Sequence, residues 1–182
     1  PRPFTSPAGR IRIPNDSKSR AGGVLYSDYS LGRFFAEAAR QPWFENTIFL
    51  VTADHCASSA GRTEIPLQKY HIPALILAPG LIEPGVVDGI VSQIDLMPTL
   101  LSLLNMSYDS HFYGRSIFDP AYVNRAFIAT YQDLGYLEGD TFTILSPVRR
   151  FEQYRVVPTE ENPHHLETME RKDAMQVDRA IG

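Results

Sequence analysis

Cross-links and anchors are what this chain has least of. Its single cysteine, Cys56, forbids an internal disulfide. That suits a cytoplasm and equally a periplasm or exterior, because many exported bacterial proteins do without disulfides. No apolar run approaches the roughly 18 residues of a membrane-spanning helix, and residues 1–20 lack the apolar stretch of a signal peptide. Nothing within the chain is therefore expected to anchor or export it. Basic runs longer than a pair such as Arg149-Arg150 are missing and the formal net charge is -4, so no nucleic acid is expected as a partner. Internal repeats are absent too. The first residue is Pro1 rather than methionine, which points to an excised or processed piece of something longer.

What is present is an ordinary globular composition, 43% hydrophobic and 21% charged, suited to one domain or to one domain with an appendage. A chain of this size buries about 70% of the surface its unfolded form exposes, so it needs no metal in order to fold. Any metal would serve chemistry. Residues 1–19 carry several prolines and read as an extended segment with a short strand at 10–13. Between 20 and 40, Val24, Leu25, Leu31, Phe34, Phe35 and Ala38 recur at helical spacing, and Pro42 closes the helix.

Residues 47–53 and 71–78 are continuous apolar runs, which read as strands buried on both faces. Interleaved with helices, they predict an α/β fold with a mostly parallel sheet flanked by helices. A further short strand is expected at 86–91 and a helix at 95–104 with Asp95 as its N-cap. Beyond Asp119-Pro120 the character changes. Residues 126–131, 141–145 and 151–157 read as three short strands, and 165–181 carries a weak helical stripe. The expected division is an α/β core over 1–120 and a small antiparallel β appendage with a C-terminal helix over 121–182.

The chemistry concentrates at Asp54-His55, directly after the first apolar strand. Loops beyond the carboxyl ends of strands in open α/β sheets gather polar groups and bind ligands. A carboxylate and an imidazole side by side there offer an oxygen and a nitrogen to one divalent cation. Two donors do not complete a site, and an isolated Asp-His pair also arises as a turn cap with a histidine bonded to backbone. His71, before the second strand, would join them only if the intervening loop folds it back; at the start of a parallel strand it would face the other end of the sheet. Cys56 reads as a small packed residue. Arg62 and Lys69 read as surface charges that could also steady an anionic ester. Asp95 reads as a helix start, and His164-His165, beside Pro163, as solvated.

Several stretches occur in an order that matters. They are Tyr26-Ser27-Asp28-Tyr29, Pro42-Trp43-Phe44-Glu45-Asn46-Thr47, Ala53-Asp54-His55-Cys56-Ala57-Ser58-Ser59-Ala60, Lys69-Tyr70-His71-Ile72-Pro73 and Gln93-Ile94-Asp95-Leu96-Met97-Pro98-Thr99. As a set they resemble the sulfatase-type domain of bacterial lipoteichoic acid synthase-like proteins, phosphoglycerol transferases of the alkaline phosphatase superfamily. The resemblance runs over about residues 1–120 and continues more loosely through 127–147.

It implies that Asp54 and His55 ligate the catalytic metal together with an acidic residue and a threonine nucleophile, both upstream. No catalytic nucleophile is then expected in this chain, which alone would be inactive. His71 matches a histidine that contacts substrate or a second metal in related phosphoethanolamine transferases, and is taken as substrate-binding. Arg2-Pro3-Phe4-Thr5 is similar to a family segment preceded by a substrate-contacting histidine, but Pro1 stands there instead.

The function implied is transfer of phosphoglycerol, or a similar phosphoryl-linked group, from a lipid donor. The cofactor would be manganese or zinc, with magnesium or calcium if the protein is a sulfatase. Expected partners are a lipid-linked or other anionic ester and the missing N-terminal half of the same domain. The implied location is the bacterial cell membrane, tethered through an upstream region, with the catalytic domain extracellular or periplasmic. A sulfatase or phosphodiesterase hydrolysing anionic esters is the first alternative; a non-catalytic binding module with a relic metal pair is the second.

Overall fold

A computed structural model describes residue 7 and residues 9–11, 19–55 and 65–181. Cys56, Arg62, the Arg-Pro-Phe segment and half of the strand expected at 10–13 lie outside these. By backbone packing the chain divides into two units, residues 1–49 with 77–83, and residues 50–76 with 84–182.

The smaller unit is built on α1, Arg20–Ala38. Ser19 caps it, its hydroxyl accepting the Gly22 N–H at 3.0 Å, so a donor that would otherwise lack a partner is satisfied. The helix stops at Ala38, ahead of the prolyl residue expected to close it. A single 3-10 turn at Phe44–Asn46 then leads into β1, Phe49–Thr52. The Phe49 ring gathers Phe34, Phe35, Trp43 and Phe44 at centroid separations of 6.0, 5.3, 6.2 and 5.5 Å, two of them edge-on. Such tilted contacts put ring edges on ring faces, the arrangement aromatic quadrupoles favour.

β2, Ala74–Leu77, pairs with β1 in a two-stranded sheet. The Thr52 hydroxyl donates to the Pro73 carbonyl at 3.2 Å, so the end of β1 lies beside the start of β2. Five further strands, β3 (Arg125–Ala129), β4 (Leu134–Glu138), β5 (Thr141–Ser146), β6 (Arg150–Val156) and β7 (Leu166–Thr168), form one sheet in sequence order. Every pairing in it is antiparallel.

The mostly parallel sheet expected of the core is corrected: among the described residues its two apolar runs form a two-stranded sheet, and the larger sheet is the antiparallel one expected beyond residue 120. Continuous apolar sequence reports burial, not direction, and here even burial is incomplete, since Ala74 and Leu75 of β2 are exposed. Residues 86–91 form no strand; Val86 and Val87 are exposed in an irregular segment.

The antiparallel sheet uses its two faces differently. Residues that pair or alternate with Phe142, namely Ile128, Gly135 and Leu137, share one face and pack on Ile65 and Leu67. Gly135 is required there: a Cβ would meet the Phe142 ring at 2.7 Å. On the other face the register lines up Tyr136, Thr143 and Gln153. Thr143 donates to Gln176 of α3 (Ala174–Ile181) at 2.9 Å, and Gln153 donates to Thr143 at 2.9 Å and to the Asp173 carbonyl at 3.0 Å.

The fully buried Asp95 joins the remaining segments. It lies just before α2, Leu96–Leu103, but its carboxylate does not cap that helix. Instead it accepts from the backbone N–H groups of Ser92 (3.1 Å) and Arg115 (2.9 Å), from the Tyr122 hydroxyl (2.8 Å) and from the Arg125 guanidinium (3.0 and 3.2 Å). Burial first, and then Asp95, raise the Tyr122 pKa well above its ordinary value, so this hydroxyl remains a donor. Gly114 lies so close to the Ile94 carbonyl that a Cβ could not be accommodated without backbone movement.

Two outcomes follow for the intact protein in urea denaturation. Asp95→Ala should cost about 3–5 kcal/mol, because it strands the Arg125 charge. Gly114→Ala should also destabilise, through displaced backbone rather than lost bonds, and an unchanged midpoint for either substitution would contradict this packing.

Candidate metal and substrate site

β1 ends at Thr52, and Asp54 and His55 follow on the loop at its tip. Asp54 Oδ1 accepts the backbone N–H of the adjoining His55 at 3.0 Å, one residue on, which is short of the reach of a turn or helix cap. Oδ2 of the same carboxylate lies 3.5 Å from His55 Nε2, with the side chains 88% and 75% exposed. The two donor atoms therefore face one another in the open.

Ligands of one tetrahedral dication at bond lengths of about 2.0–2.2 Å stand about 3.3–3.6 Å apart, so this spacing fits a shared cation. The donor set also fits, being one hard oxygen and one borderline nitrogen. It is only part of a shell. Among the described residues no group of three or more His, Cys, Asp and Glu side chains gathers to hold a metal.

Gln93 supports the pair in a way that sequence reading did not anticipate. Its side-chain amide donates to the Ala53 carbonyl at 2.9 Å and to the Asp54 carbonyl at 3.3 Å, bracing the backbone that carries both donors. Gln93 itself is fixed by its position between Ser92 and Asp95. The only hint in sequence was its place at the head of the Gln93–Thr99 stretch.

His71 follows the 3-10 turn Leu67–Tyr70 and is exposed. It precedes Pro73 by two residues, while Asp54 follows Thr52 by two. The Thr52–Pro73 bond thus directs both residues toward one end of the two-stranded sheet, where a parallel neighbour would have separated them. The ring of His71 meets that of His164, centroids 5.5 Å apart at 71°. His164, read from its polar surroundings as solvated, is corrected: it is partly buried, and its Nδ1 is buried without a hydrogen-bond partner among the described residues. Desolvation, and then the charge of His71, lower its pKa from the ordinary histidine value. His165 next to it is exposed, as expected. A hollow lined by Pro98, Met106, Tyr108 and Arg115 includes none of these side chains.

With this geometry in place, comparison with known proteins is informative. The sulfatase family profile matches residues 6–106, more than half of the chain. The chain belongs to the sulfatase family. The matched stretch contains Asp54, His55, His71 and Gln93, and ends well before His164.

A curated relative, an arylsulfatase of Clostridium perfringens (strain 13 / Type A), is 30% identical over 107 residues, which are 54% of this chain and 22% of the relative. A solved structure of an alkaline phosphatase superfamily protein from Vibrio parahaemolyticus aligns over 98% of this chain and 43% of its own, at 32% identity and a TM-score of 0.89. Ps i-CgsB aligns over 93% of this chain and 41% of its own, at 19% identity and a TM-score of 0.60, a likeness of fold alone. This sulfatase-family chain thus spans about a fifth of the curated relative and about two-fifths of each solved structure. The broader recognition holds, as a sulfatase-family chain with an alkaline phosphatase superfamily-like α/β fold; the narrower likeness to lipoteichoic acid synthases receives no support from these relatives.

If Gln93 positions the pair, Gln93→Leu should weaken zinc or manganese binding by the intact protein about 10- to 100-fold, the usual penalty for losing an outer-shell partner. Calorimetric titration checks this, and affinity within twofold of the parent would remove Gln93 from the site.

Proposed function

We propose that the intact protein is a metal-dependent enzyme acting on an anionic ester, to which this chain contributes Asp54 and His55 as metal ligands and His71 as a substrate contact. The observation that carries the reading is the exposed carboxylate–imidazole pair, donors 3.5 Å apart, at a strand tip within a sulfatase-family match. Asp54 brings negative charge that raises dication affinity, and His55 brings a nitrogen donor that favours zinc or manganese over calcium. A dication held there would neutralise charge on the ester oxygens and acidify the attacking hydroxyl. The nucleophile and the other ligands come, in this reading, from upstream residues.

Hydrolysis of a sulfate ester is the chemistry favoured by the arylsulfatase relative. Phosphoglycerol transfer from a lipid donor is the second reading, favoured by the order of the motifs from Tyr26 to Thr99. The two differ in the acceptor, water or an alcohol, and share the metal pair. For the second reading, attachment to the cell membrane through an upstream segment accompanies the lipid donor; no helix among the described residues is long and apolar enough to cross a membrane.

The test uses the intact protein with an aryl sulfate, an aryl phosphodiester and vesicles containing phosphatidylglycerol. One class should be turned over in a zinc- or manganese-dependent manner. Asp54→Ala and His55→Ala should each lower that turnover by about 1000-fold or more, as expected when several kcal/mol of metal-derived stabilisation are lost. Near-normal turnover in Asp54→Ala would discard the assignment, and failure of the intact protein to bind either metal would leave a non-catalytic module. The 182-residue chain alone should be inactive on all three substrates.

A further inference from the structure

The sulfatase-family match stops at residue 106, yet the fold brings a histidine from far beyond it against His71. This meeting has a structural cause. Ile65 and Leu67 are buried in the apolar core and Tyr70 packs against it, which fixes the approach to His71. Val156 and Leu166 pack on the same core and bracket the β6–β7 loop that carries His164. One hydrophobic cluster thus sets both imidazoles.

The loop is also braced internally. Val157 N–H donates to the His165 carbonyl at 2.9 Å, and Thr159 N–H to the Asn162 carbonyl at 3.0 Å. Asn162 Oδ1 then accepts the His164 N–H at 2.9 Å. A ring held so firmly ordinarily has a structural hydrogen bond of its own, but Nδ1 of His164 is buried with no partner among the described residues. A buried polar atom left unmatched is costly, and such an atom marks strain, a functional role or a bound water or ion.

We propose that His164 is a second substrate-contacting residue, pairing with His71 to bind the anionic ester from the side of the antiparallel sheet. This rests on the reading of the protein as an enzyme of anionic esters. Two adjacent imidazoles repel one another when both are charged, and an anion bridging both from one side offsets that repulsion. Each ring can donate an N–H to an ester oxygen. A dication fits less well, since a metal site takes three or four ligands and no third His, Cys, Asp or Glu side chain joins the pair among the described residues. His164 would then distinguish substrates by the anionic group it can reach.

The test uses the intact protein and inorganic sulfate as the probe, with histidine ring resonances followed by NMR. Resonances of His71 and His164 should move together with one Kd. His164→Phe, which keeps a flat ring without polar atoms, should weaken sulfate binding about tenfold, the loss expected for one hydrogen bond to a charged group. His164→Asn, which keeps a polar atom near the Nδ1 position, should recover part of the loss, and the thermal midpoint should not move. For the ester that is turned over, His164→Phe should raise KM more than it lowers kcat.

Movement of the His71 resonance alone, or a sulfate Kd in His164→Phe within twofold of the parent, overturns the proposal. So does loss of one equivalent of bound zinc in that variant, which would make the pair a cation site. Should His164→Phe unfold, the parent titration and His164→Asn still decide. Loss of turnover in Asp54→Ala with unaltered sulfate binding in His164→Phe rejects only this inference. Retained turnover in Asp54→Ala rejects the functional reading, and the sulfate titration then judges the pair by itself.

Discussion

A carboxylate sealed from water joins the segments of the larger unit. Burying the charge of Asp95 is expensive, and the expense is met only because backbone amides, a phenol and a guanidinium all converge on it. Those donors come from the turn before α2, the loop around Arg115 and the start of β3, so one side chain fixes three pieces of chain that are separate in sequence. Its reach extends to chemistry. With Asp95 immobile, Gln93 two residues earlier is held where its amide braces the Ala53 and Asp54 carbonyls. The exposed Asp54–His55 pair thus inherits the position of its backbone from a buried carboxylate.

The antiparallel sheet makes a second division of labour. Its apolar face packs on the segment leading to His71, and its opposite face is dominated by hydroxyl and amide groups that receive α3. Because the first face anchors chain on both sides of the sheet, it gathers side chains that no local motif would associate. The strand tip carries a carboxylate beside an imidazole, and the region beneath the sheet carries the two imidazoles of His71 and His164. The two clusters differ in exposure: Asp54 and His55 stand in solvent, while His164 is partly covered.

Sequence disclosed the elements whose signals are local. The helical spacing of Phe34, Phe35 and Ala38 located α1, and the apolar runs located β1 and β2, with ends trimmed by one to three residues. The direction of strands in the core was not legible, because it depends on partners that periodicity does not name, whereas the short strands and close turns beyond residue 120 did point to the antiparallel pairing found there. β4 escaped because Gly135 in Leu-Gly-Tyr-Leu-Glu looks like a turn, although its missing side chain is what admits the Phe142 ring. β7 was absorbed into a weak helical stripe, being only three residues long. At the site, Asp54-His55 was visible because its members are neighbours. His164 was not, since polar surroundings in sequence say nothing of an apolar cluster assembled from residues 65, 67, 156 and 166.

The amide-rich contact beneath α3 has a further consequence. Thr143, Gln153 and Gln176 interlock through uncharged groups only, all of them buried. Such groups neither titrate over the physiological range nor respond to ionic screening, unlike the exposed Arg179–Glu138 pair at the same helix. High salt weakens the rim of the C-terminal helix while its seat stays locked, and the directional bonds of that seat allow a single rotational setting where a greasy contact would tolerate sliding.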